Sequence, residues 1–474
     1  MKVMFIEPPK QFWFLMGEYL PPPLGALQLA AYLERENPKA EIEVLDCQAE
    51  SIDWNGLEQR IESYRPDVVA SSGLATCNTY SAARTLAAAK RVNPHVLTVA
   101  GGQHFTATAR DSLREYPEID VIVRGEGEQT LSELVQSASE GKPFSQVKGI
   151  AYRSKGEILE TPTRPLIEDL DDLPFPGYHF VKDVIHKYHF TMMAGPNIVY
   201  LTIEGSRGCQ HHCTFCTQWR HWGGRYRSKS GRRIAEEMEF FYRQFNSRFI
   251  WLTDDDFTLG KRASDLCDEI LKRRLGDEIM WFVQARCDDV VKHKDLVPKM
   301  RRAGNRWILL GAESHSKSIL RSLNKKIDPE ETREAVRILK ENDIFAQTTF
   351  ILGHREDSAE SIEELRKFAD DVDPDLAIFM LLTPFPETET YRLALENRWI
   401  EDSNWANYDM VHPIMPTENL SRAELYEELY RCYRNFYGSW GRRLGGFFSP
   451  NQLKRRTYRY VASRGLMNQL RGRM

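Results

Sequence analysis

The chain has 474 residues, 42% hydrophobic and 28% charged, with a formal net charge of −4. That length implies roughly three domains of about 150 residues each. The weakly acidic balance gives no bulk attraction to nucleic acid, and no apolar run approaches the ~18 residues of a membrane-spanning helix.

The chain opens on a strand pattern followed by Glu7-Pro8-Pro9, which does not read as a signal peptide. From 1 to 150, five apolar runs (3–6, 42–46, 67–71, 96–100 and 120–123) alternate with helical patterns at 24–34, 57–64, 81–91, 106–114 and 128–137. This alternation predicts an α/β fold with a doubly wound, flavodoxin-like parallel sheet, which binds ligands at the carboxyl ends of its strands. Residues 151–194 read as a linker, because four prolines at 161–177 surround the acidic run 168–172. From 195 to 395, six strand-like runs (199–203, 249–252, 280–284, 306–310, 348–352 and 376–382), each followed by a helical pattern, predict a partial (β/α)6 barrel with its chemistry in the loops after the strands. Residues 396–474 form a helical C-terminal extension. From Ser421 onward it carries twelve Arg or Lys against three Glu. Its run Lys454-Arg455-Arg456 reads as a solvated face, with docking of an acidic partner or a phosphorylated ligand as the sharper alternative. Tyr426, Tyr430, Tyr433 and Tyr437 have helical spacing and read as core.

Of eight cysteines, five are scattered and three crowd into Cys209-Gln210-His211-His212-Cys213-Thr214-Phe215-Cys216, after the first barrel strand. The scarcity argues against a disulfide framework and for a reducing cytoplasm. Three thiolates spaced C-x3-C-x2-C on one loop suit a cubic iron–sulfur cluster. They leave one iron open to the amine and carboxylate of a small molecule. Zinc, with His211 or His212 as a fourth ligand, is the competing reading.

This motif, with Phe215 before its last cysteine, resembles the signature of the radical S-adenosylmethionine (radical SAM) superfamily. The resemblance implies a 4Fe–4S cluster on Cys209, Cys213 and Cys216. It also implies SAM on the open iron, homolytic cleavage to a 5′-deoxyadenosyl radical, an external one-electron reductant, and Phe215 near the adenine. It assigns the SAM amino group to Asp254 and Asp255 in Thr253-Asp254-Asp255-Asp256, and the SAM carboxylate to Arg286. Glu313, in Gly311-Ala312-Glu313-Ser314, would lie near the ribose or form an ion pair with Arg286. Thr349–Glu356, which contains Gly353, resembles the family's G-x-I-x-G-x-x-E segment, and the resemblance implies backbone contact with adenine, although Thr349 stands where the family pattern begins with glycine. Pro384-Phe385-Pro386-Glu387-Thr388 matches a further family segment, with Glu387 in place of its usual glycine.

In the first domain, Gly73, Gly101-Gly102 and Gly125-Glu126-Gly127 follow the third, fourth and fifth strands. With Pro21-Pro22-Pro23-Leu24-Gly25 and Arg124-Gly125-Glu126-Gly127-Glu128, they resemble the cobalamin-binding domain that precedes the barrel in one large radical SAM class. The resemblance covers 1–395 and implies cobalamin held by these residues. Residues 7–18 contain no histidine, so cobalamin would bind without the D-x-H-x-x-G ligand of the other cobalamin family. His104 is the nearest alternative to that histidine but reads more simply as a solvated loop residue, and Thr76, Cys77 and Asn78 are candidates to lie under the corrin.

That class implies a cobalamin-dependent C-methyltransferase acting on an unactivated carbon through the deoxyadenosyl radical and methylcobalamin. A cobalamin-dependent cyclase or ring-rearranging enzyme, and a non-catalytic cobalamin or iron–sulfur sensor, are the alternatives. Segment 217–227 interleaves aromatics with arginines, as a substrate entrance or as ordinary core and surface. This segment and the domain order are similar to the glutamine C-methyltransferases of methyl-coenzyme M reductase, which implies a protein or peptide substrate.

Overall fold

The computed structural model describes residues 1–9, 19–73 and 75–471; most of the histidine-free stretch 7–18 lies outside them. The N-terminal sheet has seven strands: Lys2–Glu7 (β1), Glu41–Asp46 (β2), Val68–Ser72 (β3), Leu97–Gly101 (β4), Val121–Val123 (β5), Ile150–Ser154 (β6) and Glu157–Glu160 (β7). Their order is β2-β1-β3-β4-β5-β6-β7, and the first five run parallel. Successive side chains enter different cores. Val3 and Phe5 join Leu27, Leu33, Leu131 and Leu134, whereas Met4 and Ile6 join Leu57, Ile61, Leu86 and Leu113. Burial on both faces explains why these strands read as continuous apolar runs.

Two local expectations are corrected. The range read as linker begins with an antiparallel hairpin, β6–β7, that extends the parallel sheet. Lys155 and Gly156 form its two-residue turn with φ of +50° and +84°, a backbone whose twist matches that of the flanking strands. The helix expected at 106–114 is broken into Gln103–Ala107 and Ala109–Glu115. At the break the Thr108 hydroxyl donates to the His104 carbonyl, a local bond that competes with helix continuation.

The second sheet is entirely parallel and takes its six strands in chain order: Tyr200–Ile203 (β8), Phe249–Leu252 (β9), Met280–Ala285 (β10), Asn305–Glu313 (β11), Phe345–Leu352 (β12) and Leu376–Leu381 (β13). Leu201, Ile250, Val283, Ile308, Ala346 and Ala377 face the helices. The alternate residues Tyr200, Phe249, Phe282, Trp307, Phe345 and Ile378 form a separate cluster on the other face. Phe282 and Trp307 stack at 4.1 Å, so aromatic rings fill that face toward the strand starts. The same face ends in Gln284, Gly311, Glu313 and Thr349 toward the strand ends. This apolar-to-polar gradient assigns packing to one end of the sheet and chemistry to the other.

The C-terminal extension closes the apolar end and the open edge. In helix Arg422–Gly438, Tyr433 and Tyr437 stand one turn apart. The Tyr433 hydroxyl donates to Phe379 O (2.9 Å) and accepts from Phe379 N (3.1 Å). Tyr437 does the same with Ala377, at 2.7 and 2.9 Å. The two phenols thus take the place of a seventh strand on β13. Leu453, on the last helix, joins the aromatic cluster, and Lys454 pairs with Asp375 at 2.9 Å. Arg456 donates to Met193 O at 3.0 Å. The run read as a solvated face is therefore docked against the chain's own body. Among the described residues, no helix is long and apolar enough to cross a membrane.

Replacing both Tyr433 and Tyr437 with Phe removes every partner of these edge groups while keeping the rings. Urea unfolding should show a loss of about 1–3 kcal/mol, the range for several modest hydrogen bonds lost at once.

Candidate functional site

The carboxyl ends of the two parallel sheets meet. From the loop after β4, the Gln103 amide donates to Gln218 Oε1, and Thr217 Oγ1 donates to Gln103 Oε1 at 3.4 Å. Gln218 lies two residues beyond Cys216. From the loop after β5, Glu126 and Glu128 reach the Arg207 guanidinium, two residues before Cys209. Arg207 also binds Glu204, and Arg227 binds Glu126. All but Glu204 in this group are at most 6% exposed. Burial alone would raise Glu128, but Arg207 overrides it and holds that carboxyl below its ordinary range. Burial dominates at Glu204 and raises it.

Arg207 sits in a two-residue antiparallel bridge, Ser206–Arg207 with Arg227–Ser228. The next residue, Gly208, has φ +86°, and a Cβ there would come within 2.0 Å of Arg225 O. Only glycine fits this turn. The cysteine loop is then held by its backbone. Thr214 N donates to Leu323 O (3.0 Å), Asn324 Nδ2 to His212 O (2.7 Å), Trp219 Nε1 to Cys213 O (3.0 Å) and Thr390 N to Thr214 O (3.2 Å). Burial pushes the Cys209 and Cys216 thiols up to about 12 and raises Cys213. At Cys209 and Cys216 the neighbouring thiols add to the effect.

Three thiols crowded on one loop, Cys213 buried and Cys209 and Cys216 partly buried, suit a cationic iron–sulfur centre, which deprotonates its ligands. The zinc reading finds no support. Among the described residues no three His, Cys, Asp or Glu side chains gather around one point, as a single zinc ion requires. A cubic cluster takes each thiolate on a different iron. The residues present therefore fit the 4Fe–4S group.

The acidic triplet after β9 divides its work. Asp254, expected to meet an ammonium, is fully buried and bound to Gly205 N (2.9 Å), Ser206 Oγ (2.7 Å) and Arg262 (2.8 Å). A Cβ on Gly205 would come within 2.6 Å of Asp254 Oδ1, so glycine there admits the carboxylate. Asp255, also expected there, accepts from Gly208 N (3.2 Å) and Trp222 Nε1 (2.9 Å). Burial pushes it up to about 7. Asp256, the third carboxylate of the triplet, accepts from the Cys209 thiol, 3.6 Å from its Sγ. The differing directions of adjacent side chains, invisible in the triplet itself, decide this.

Arg286 pairs with Asp288 at 2.9 Å, so the alternative ion pair with Glu313 does not form. Glu313 instead pairs with Lys325 at 2.8 Å, both under 10% exposed. A register shift between Gly311 and Glu313 and a φ of +62° at Glu313 accompany this pairing, as bulges do where a strand re-aims a side chain. A Cβ on Gly311 would lie 2.5 Å from Glu313 Oε1 and 2.8 Å from Lys325 Nζ. The glycine of the Gly-x-Glu-Ser segment thus makes room for the ion pair. Gly353 has φ +88°, and its N–H and that of His354 donate to Asp357 at 2.9 and 3.0 Å. Glu387 adopts φ +65°, the glycine-like backbone of the residue it replaces. Phe215 is half-buried within the loop. Lys325, Arg207, Gln103 and Gln218 carried no sequence signal, because their partners are remote along the chain.

On the N-terminal edge, Gly73 N donates to Gly101 O, and a Cβ at Gly73 would press on Phe105 at 3.0 Å. Gly102 and Gly125 have φ of +92° and +74°, and among the described residues nothing lies within 4 Å of a Cβ built on Gly125, as a broad ligand approaching the backbone needs. Gly127 begins a helix and packs on Leu29. The Glu126 side chain is an interdomain anchor: its second oxygen also accepts from Ile167 N at 2.6 Å. His104, expected in solvent, is 3% exposed. It packs edge-on to Trp405 and Phe105 at 5.0 and 5.7 Å. Burial lowers it to about 4. The short turn Thr76–Asn78 lies against the segment Trp405–Asn407.

Comparison with known proteins agrees with both halves. Residues 203–369 match the model of the radical SAM superfamily and residues 17–135 that of the B12 binding domain. An uncharacterized methyltransferase of Pyrococcus horikoshii is 30% identical over 92% of this chain and 92% of its own. The anaerobic magnesium-protoporphyrin IX monomethyl ester cyclase of Rubrivivax gelatinosus is 32% identical over 92% of this chain and 77% of its own. The radical S-adenosylmethionine methyltransferase TsrM from Kitasatospora setae, solved with cobalamin and a [4Fe-4S] cluster, shares the fold. Its TM-score is 0.69 at 18% identity, over 92% of this chain and 88% of that one.

Arg207→Ala leaves Glu126 and Glu128 buried without their shared cation. Thermal or urea unfolding should show a loss of about 3–5 kcal/mol, whereas Arg225→Ala, at an exposed pair with Glu168, should change little. His104 binds its proton less tightly folded than unfolded, so its contribution is complete above pH ~6.5 and lost as pH falls toward 4. The apoprotein should lose up to about 3 kcal/mol across that window through this residue. His104→Gln should flatten that part of the stability–pH curve.

Proposed function

Since the chain belongs to the radical SAM enzymes that carry a B12-binding domain, we propose that it is a C-methyltransferase acting at an unactivated carbon. Its cofactors are a 4Fe–4S cluster, SAM and cobalamin. When bound, the cluster and SAM supply a hydrogen-abstracting radical, and cobalamin supplies the methyl group.

The observation that carries the proposal is the locking of the two cofactor edges against each other, through Arg207 with Glu126 and Glu128 and through Gln103 with Gln218. A carbon held between those edges is presented to both cofactors at once, and such positioning is what the protein contributes. Cys209, Cys213 and Cys216 hold the cluster. Asp256, Arg286 and the Lys325–Glu313 pair set charges of both signs beside them, which suits the ammonium and carboxylate of an amino acid. Below, the Phe249–Phe282–Trp307 stack excludes water from the strand starts. Above it, Trp251 Nε1 and Gln347 Oε1 are buried and, among the described residues, without hydrogen-bond partners, and they are available to a polar group of the substrate.

Ring formation is the second reading, favoured by the 32% identity to a cyclase. A glutamine side chain in a protein, as the sequence resemblance implies, is a further candidate target, and its peptide belongs in the same assay. Reconstituted protein is incubated without oxygen with SAM, reductant and hydroxocobalamin, and the products are read by mass spectrometry. The expected result is 5′-deoxyadenosine together with S-adenosylhomocysteine and methylcobalamin. Deoxyadenosine alone would overturn methyl transfer and put cyclisation first. Cys216→Ala should bind well below the roughly four irons per chain of a complete cluster and yield no deoxyadenosine.

A further inference from the structure

Helix Trp440–Phe447 departs from the pattern of the rest of the surface. Trp440, Leu444, Phe447 and Phe448 are 74%, 53%, 37% and 70% exposed. Their spacing of four, three and one places them on one helical face. Scattered exposed apolar residues need no explanation, but a contiguous aromatic–aliphatic face does. The helix packs against Gln452–Arg471, whose Val461 is 55% exposed.

The segment that carries this face is one-sided in charge, although Asp343, Asp370 and Asp373 from the barrel border the helix on its inner side. Glu428 is the last acidic residue, and the 46 residues after it contain eleven Arg or Lys. Some of these cations turn inward: Arg442 pairs with Asp370 and Asp373, and Lys454 with Asp375. Arg443 and Arg459 are exposed and flank the apolar residues. The Arg443 guanidinium lies 5.9 Å from the Trp440 ring centroid, and that of Arg459 lies 5.0 Å from that of Phe447. Among the described residues neither pairs with a carboxylate.

We propose that this face seats the protein on the surface of an anionic bilayer, with Trp440, Leu444, Phe447 and Phe448 in the headgroup–acyl boundary and Arg443 and Arg459 on acidic headgroups. Large aromatics beside arginines on a short amphipathic helix are the composition that lies in a membrane interface without crossing it. An acid-free basic segment supplies the attraction to acidic lipid. An acidic protein would satisfy the arginines but leaves the aromatic face without a partner. The inference is independent of the reaction catalysed.

Full-length, cluster-reconstituted protein is sedimented with vesicles of phosphatidylcholine alone or with roughly one third phosphatidylglycerol, an anionic fraction that gives each nearby arginine a measurable attraction. Binding is expected on the mixed vesicles, weaker binding on phosphatidylcholine, and release in high salt. Arg443→Glu with Arg459→Glu should lower binding to the mixed vesicles by about tenfold or more. Trp440→Asp with Phe448→Asp should abolish it, while cluster absorbance and SAM cleavage stay unchanged, since these residues lie outside the site. Absence of binding to the anionic vesicles, or equal binding by the Trp440→Asp, Phe448→Asp variant, would overturn the proposal. So would self-association that this variant abolishes in a protein that does not bind vesicles, because the face would then belong to a second copy.

Discussion

A single buried cation sets the relation between the two halves of the molecule. Arg207 lies among Glu126 and Glu128 from one sheet and Glu204 from the other, with Arg227 sharing the first. Burying so many charges costs several kcal/mol per ion, and such a group adds little net stability over a well-packed apolar contact. It does add direction. An apolar contact tolerates sliding, whereas a guanidinium held by three carboxylates has one arrangement. Because Arg207 stands two residues before Cys209, that arrangement also places the cysteine loop against the glycine-lined edge.

The loop itself is rigid for a different reason. Its backbone groups are bonded to segments from elsewhere in the chain, at Leu323, Asn324 and Thr390. A short loop that carries three ligands cannot supply its own secondary structure, so neighbouring loops provide the missing partners. Glycines admit the charged groups beside it. Gly205 makes room for Asp254, and Gly311 for Glu313 with Lys325. At both positions the absent side chain is what matters.

The C-terminal extension serves the same end from the far side. Its tyrosines cover the last strand, its apolar residues close the aromatic end of the second sheet, and its inward cations neutralise Asp370, Asp373 and Asp375. Beyond Glu428 its exposed surface carries basic side chains and the apolar face of Trp440, Leu444, Phe447 and Phe448 but no acid, so one segment completes the fold and presents a distinct surface.

Much of this was legible in the chain itself. Periodicity located all eleven parallel strands, because buried strands need apolar side chains in short runs. The C-x3-C-x2-C spacing identified the cluster loop, because ligands of one compact group must lie close together. The hairpin β6–β7 was missed because the prolines and acidic residues that follow it dominate the local composition. The roles of Asp254, Asp256, Glu126 and His104 were decided only by the tertiary structure. A carboxylate or imidazole has the same sequence signature whether it meets a cofactor, a remote arginine or a tryptophan ring. Its partner lies tens to hundreds of residues away, and only folding brings the two together.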